Sequence, residues 1–415
     1  MVLTAIGFAA YGLTKIAYNY FVLRRFGPET LAVNNLSLSA ALLMSILISN
    51  LFATSMSRFA AEALGRQEQA SFLFVVSFNL WLLLGCSALA ALGFLLFSGW
   101  IAVQVGTTPE SIRIGAALVV LNTVYTYFKA LSYVVQEVRQ YTVLEIVSAL
   151  IFFVALFFCL HWNRRDLLLL PFLLQFGFFA LWSAVLNRKV IWHVAAFRQW
   201  TKRARESAGM MRYSVITGFG TTGSMIVSHV FTLTLGHIAD ARAVAFFSSV
   251  SAALDPLNLV PRLLTTVTFP RIARLLGQGQ TGGLVHFTRQ NYRRLLVFTA
   301  VSCVGALVMA PELTTVLFGR GTHELLPFVR IMLLARFLPV IGVFHVSFLS
   351  GTHFPLFPNL MGPLALVVTL PLLPVGLGAA GLAGVGGVVL LSSVIRTFPT
   401  LAYGEAKLTA MARQG

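Results

Sequence analysis

The chain has 415 residues, of which 58% are hydrophobic and only 10% charged, with a net charge of +17 from 30 Lys and Arg against 13 Asp and Glu. A mean hydropathy of +0.84 excludes a soluble globular domain of this size, whose surface would carry far more charge. The chain reads as an all-α polytopic membrane protein, and because most of its cations sit in short connectors they indicate topology, with no nucleic acid as partner.

A bilayer core takes about 20 mostly apolar residues per helix. About twelve such runs are predicted, over 2–23, 31–53, 71–97, 114–135, 143–160 and 167–186, then 213–235, 244–264, 295–316, 325–349, 355–373 and 382–400. They define an N-terminal lobe of six transmembrane helices over 1–187, a basic connector over 188–212 and a C-terminal lobe of six over 213–415. The first run has spanning length and no small-residue cleavage pattern, so it is not a secretory signal. It begins at residue 2, which leaves open a native start upstream of Met1. Cys86, Cys159 and Cys303 each fall in an apolar run, an odd number without metal spacing, so neither a disulfide framework nor a zinc site is expected.

The connector carries Arg188, Lys189, Arg198, Lys202, Arg203 and Arg205 beside Trp192, Trp200, Ile191 and Phe197. This pattern predicts a basic amphipathic helix on the cytoplasmic membrane surface, or a plain tether with interfacial anchors. Arg58, Arg66, Arg139, Arg271, Arg274, Arg289, Arg293 and Arg294 fall in connectors on that same side. Fewer cations, among them Arg24, Arg25, Arg164 and Arg165, lie on the other side, so both termini are predicted to be cytoplasmic. The junction Ser57-Arg-Phe-Ala-Ala-Glu-Ala-Leu-Gly65 echoes Pro270-Arg-Ile-Ala-Arg-Leu-Leu-Gly277, and Phe26-Gly27 echoes Leu235-Gly236. Two pseudo-repeat halves related by an axis along the membrane normal would give such echoes.

Polar residues within lipid must find a partner or face water, so their spacing marks helix faces. The fourth span places Asn122, Tyr125, Thr126, Lys129, Ser132, Tyr133 and Gln136 on one face. The first contributes Lys15 and Asn19, the second Asn35, the seventh Thr221, and the eighth Ser251 and Asn258. These residues are candidates for the polar wall of a wet cavity; the alternative is hydrogen bonding between packed helices. The third, fifth, sixth, eleventh and twelfth spans show no comparable face.

Lys15, Lys129 and Arg336 sit deep, where each costs roughly 2.5–3.5 kcal/mol to insert. Asp255 and Glu145 are the acids at similar depth, so cations outnumber possible partners. An interior of that sign would attract an anion, phosphate above all, unless the cations snorkel to an interface. Asp255-Pro256, followed by Pro261, should break or kink the eighth span, and Asp255 could cap, pair or exchange a proton. His229 and His345 are further candidates for an ion pair or a coupling proton.

No GxxxxGK[ST] phosphate loop, HExxH helix, nucleophile elbow or paired loop carboxylates occur, so catalysis, a metal site and a cofactor are not expected. The span pattern, the Ser57–Arg66 junction and the Thr268–Gly277 junction resemble polysaccharide flippases of the multidrug/oligosaccharidyl-lipid/polysaccharide exporter superfamily. The resemblance implies two six-helix lobes arranged as a V. It also implies alternating-access transport of a polyprenyl-diphosphate-linked oligosaccharide across the bacterial inner membrane, alongside other glycan-assembly proteins. A peptidoglycan lipid-precursor flippase is the nearest alternative, although such flippases usually have two further spans. A cation-coupled multidrug exporter is another, but those typically hold a carboxylate in the first span, where this chain has Lys15. A membrane-embedded glycan polymerase or glycosyltransferase would need a large outer loop or a carboxylate cluster, and neither is seen.

Overall fold

The tripeptide Phe26-Gly27-Pro28 folds the first helix back on itself. Gly27 sits at φ 84°, ψ 174°, a backbone conformation open to glycine, and Pro28 restarts the helix with its φ already set. The two arms form α1 (Val2–Gly65) and carry the first two predicted spans. In the computed structural model the described residues are 2–135, 137–188, 204–258, 281–319, 322–351 and 356–414, with 264, 268, 272 and 275 placed singly. Among these the chain is helical with no strand.

After α1 come α2 (Gln69–Leu96), a short α3 (Ser98–Val105), α4 (Pro109–Val134), α5 (Val138–His161) and α6 (Leu170–Leu186). Then follow α7 (Ala204–Met225), α8 (Val227–Ile238) and α9 (Ala241–Leu254). The remaining helices are α10 (Thr281–Val308), α11 (Ala310–Phe318), α12 (Leu326–Ile341), α13 (Val343–Gly351), α14 (Leu356–Thr369) and α15 (Leu372–Gln414). Local chemistry sets several of these ends. Thr108 caps α4 by accepting from the Ser111 N–H at 3.3 Å, with Pro109 at the first helical position and Glu110 in the first turn. The chain breaks again at Ala380 and Gly381, so α15, like α1, contains two arms.

Six of the described helices are long and apolar enough to cross a membrane, and two pairs bent by 53° and 40° raise the number to eight. Because α1 holds two predicted spans, and the seventh, eighth and eleventh spans fall on shorter or partly described helices, these figures are compatible with about twelve. The predicted break at Asp255-Pro256 is present: α9 stops at Leu254 and a 3-10 turn runs over Asp255–Asn258. The predicted surface helix over 188–212 lies mostly outside the described residues, apart from the start of α7. The junction 270–277 is described only at Ile272 and Leu275. Gly236 is not the counterpart of Gly27: it lies inside α8, against Leu36 and the Val105 carbonyl, and makes no break.

Packing divides the chain into two units, Met1–Ser248 and Ser249–Gly415. In the first, α1 packs against α2, α4, α5, α7 and α8. Its core is aromatic, with Phe74, Phe128, Phe152, Phe172, Phe176 and Phe179 fully buried. Asn35 donates to Asn19 at 2.8 Å and ties the two arms of α1, and Asn50 donates to Thr222 on α7 at 3.2 Å. In the second, α15 packs against α10, α12, α13 and α14. Ile272, Leu284, Val285, Phe348, Leu349 and Leu408 form one of its buried clusters. Outward faces are apolar: Leu89, Leu96, Phe157, Leu181, Val301 and Val367 stand exposed. So much exposed hydrocarbon fits lipid and not water.

Candidate functional site: paired charges inside each unit

In the first unit, α1, α4 and α5 bring a charged cage together. The Lys129 ammonium on α4 lies 3.0 Å from the Glu145 carboxylate on α5, with side-chain exposures of 13% and 0%. Glu145 Oε1 also accepts from the Tyr125 hydroxyl at 2.5 Å and from the Tyr141 hydroxyl. Lys129 donates in addition to the Tyr125 hydroxyl at 3.1 Å. Its ammonium lies 5.2–5.5 Å from the ring centres of Tyr141, Tyr125 and Tyr11. Lys15 shares the Tyr11 ring, 5.3 Å from its centre. The rings give both cations favourable quadrupole contact. Helical spacing explains the cage: Tyr125 and Lys129, and Tyr141 and Glu145, are each four residues apart and so share a face.

The second unit holds its own group. Arg336 on α12 lies 3.7 Å from Asp255, with side-chain exposures of 16% and 32%. Arg396 on α15 donates to Ser393 at 3.4 Å and is close enough to Arg336 for the two positive charges to repel. Among the described residues each unit therefore groups two basic side chains with one acid: Lys15, Lys129 and Glu145 in one, Arg336, Arg396 and Asp255 in the other.

The remaining candidates are placed as follows. Asn19 and Asn35 bond to one another, and Asn122 donates to Ser45 at 2.7 Å, all buried between helices. Ser132 bonds back to the Phe128 carbonyl at 2.9 Å, and the Tyr133 ring lies tilted by 49° against that of Tyr141, with centres 5.3 Å apart. Ser251 is buried at the end of α9. Gln136 and the side chains of Thr221 and Asn258 lie outside the described residues. His229 is 3.4 Å from Ser39. His345 is buried, 3.4 Å from Glu405, while Arg289 also holds Glu405 and donates to Thr409 at 2.8 Å. The expectation that the fifth and twelfth spans lack a polar face is corrected by Glu145 and Arg396. Their signals were present in the sequence: Tyr141, Glu145 and Ser148 at spacings of four and three, and Ser393, Arg396 and Thr400 at spacings of three and four.

No family model matches the sequence, and no curated protein matches it. Solved structures do match along almost the whole chain. An inward-facing multidrug resistance MATE family transporter of the MOP superfamily aligns with a TM-score of 0.79 over 97% of this chain and 95% of that one, at 13% identity. The fold is that of a MATE transporter. A MATE transporter variant from Vibrio cholerae aligns with a TM-score of 0.71 over 98% and 95%, at 14% identity. A MOP superfamily transporter from Pyrococcus furiosus aligns with a TM-score of 0.70 over 99% and 95%, at 13% identity; it is described as having a binding pocket of reversed polarity that suggests a different function. Each of these neighbours is a membrane transporter and not an enzyme.

Proposed function

We propose that the protein is an alternating-access flippase that carries a polyprenyl-diphosphate-linked oligosaccharide across the bacterial inner membrane, with both termini cytoplasmic. The supporting observation is the sign of the two charged groups: two bases to one acid among the described residues of each, on a MATE fold. A diphosphate with many sugar hydroxyls cannot cross hydrocarbon unaided, because each unpaired polar group costs several kcal/mol. Ammonium and guanidinium groups offset that cost for an anion through charge-assisted hydrogen bonds.

MATE folds also serve multidrug transporters, and fold likeness alone suits a cation-coupled drug exporter equally. Electrostatics favours the anion. A carrier of cationic drugs needs an interior negative enough to hold them, whereas the first arm of α1 presents Lys15 and no acid. The test replaces charges in pairs, to spare the fold: Lys129→Gln with Glu145→Gln, and Arg336→Gln with Asp255→Asn. Reconstituted protein should flip a polyprenyl-diphosphate glycan, and each neutral pair should slow flipping at least tenfold. Unimpaired flipping by both, or transport of organic cations by the unaltered protein, would refute the reading.

A further inference from the structure

Glu145 has an uneven environment. Its Oε1 takes three donors, from Tyr125, Tyr141 and Lys129, while its equally enclosed Oε2 has no partner. A carboxylate kept only as a structural ion would ordinarily have both oxygens bonded. The phenols around it suit two protonation states, because a phenol hydroxyl accepts as well as donates. They donate to a carboxylate; once the acid is protonated, it can donate to them. Lys129 differs in access. Its side chain is 13% exposed against 0% for Glu145, so an anion approaching the pair meets the ammonium first.

We propose that Glu145 and the substrate's diphosphate compete for the Lys129 ammonium, so that loading one headgroup takes up one proton on Glu145. The inference rests on the anionic-headgroup reading above and adds its coupling. In the empty protein Lys129 pairs with ionised Glu145. On loading, the ammonium pairs with a phosphate oxygen, an O–H bond forms at Glu145 with a proton from water, and no bond in the substrate breaks. Of the two negative charges on a diphosphate diester, one is balanced by that proton. One net negative charge then crosses, and an inside-negative potential drives it outward.

Among the described residues of this cage, Glu145 is the single carboxylic acid. From α1 come Tyr11 and Lys15, from α4 Tyr125, Lys129 and Tyr133, and from α5 Tyr141. The remaining packed helix, α6, offers Phe176 and Phe179 and contains no titratable side chain over Leu170–Leu186. Phenols and ammonium ions ordinarily titrate at about 10, so a proton taken up near neutrality goes to the carboxylate. By linkage, headgroup affinity falls as pH rises, by up to about tenfold per unit.

The test is calorimetry on the purified full-length protein with a short-prenyl diphosphoryl sugar, whose phosphates stay ionised from acid to alkaline pH. Titration at pH 7 in two buffers of different ionisation enthalpy counts protons. The expected result is uptake approaching one proton per ligand, with Glu145→Gln binding without that uptake and without the pH slope. UDP-glucose, a diphosphate diester without lipid, separates the sources: equal uptake with it means that the diphosphate suffices, and uptake with the prenyl ligand alone ties the exchange to lipid-linked cargo. Binding without proton uptake by the unaltered protein, or uptake retained in Glu145→Gln, overturns the proposal while sparing the headgroup reading. No binding of either diester overturns the headgroup reading and the coupling with it. Should Glu145→Gln fail to fold, the proton count of the unaltered protein decides alone.

Discussion

Replacing Lys129 by alanine should be among the most damaging single changes in the first unit. At 3.0 Å and an effective dielectric constant near 20, the attraction to Glu145 is about 5–6 kcal/mol before desolvation is subtracted. Removing the lysine leaves a carboxylate with 0% side-chain exposure without its nearest counter-charge, and such losses run to about 3–5 kcal/mol. The cost should come from the stranded charge more than from lost packing. A neutral double replacement, Lys129→Met with Glu145→Gln, should therefore return stability to within about 1 kcal/mol of the unaltered chain. Unfolding by SDS titration of purified protein, followed by tryptophan fluorescence, measures all three. Equal stability of Lys129→Ala and the unaltered protein, or a double variant as weak as the single one, would refute the reasoning.

Gly27→Ala should cost about 1–3 kcal/mol through backbone strain alone, since nothing lies within 4 Å of the added methyl group; the same titration reads it. Gly384→Ala should be harsher, about 3 kcal/mol or more, because its Cβ would stand 1.9 Å from the Gly376 carbonyl oxygen, a backbone atom. Gly378→Ala, with open space around it, is the control and should not destabilise. Glu405→Gln should cost under about 1 kcal/mol in the same assay, since the Arg289–Glu405 pair is 37% and 45% exposed and solvent screens it. On the loop before α6, the hydrogen bond from Arg164 holds the Asp166 carboxyl below the usual carboxylate range. Its contribution is present above the ordinary carboxylate pKa and fades as pH falls through the lowered one. Asp166→Asn should accordingly change the melting profile only on the neutral side, with no difference left in strong acid.

Hydropathy made the helices legible because lipid demands one kind of surface over a fixed length. The arms of α1 match the first two predicted runs, and the break at Asp255 was readable from the proline behind it. Pairing was harder to read. Lys129 and Glu145 lie on different helices, so only tertiary packing reveals that the acid answers the base. Arg396 was missed because its span is rich in glycine and leucine and its small polar neighbours, Ser393 and Thr400, make a weak stripe. The asparagines show the opposite limit: Asn19, Asn35 and Asn122 have the spacing of a wet wall, yet in the fold they bond helix to helix.

The hydrogen bond from the Asn35 side chain to that of Asn19 has a mechanical consequence. It staples the hairpin made by the two arms of α1, while Ser37 bonds to Thr107 at 2.7 Å and anchors the same hairpin to the turn before α4. A helix pair clamped at two levels resists scissoring, so it should travel as one stiff lever. Any flexing during a turnover would then be left to places where the backbone is already interrupted, such as the proline-marked end of α9.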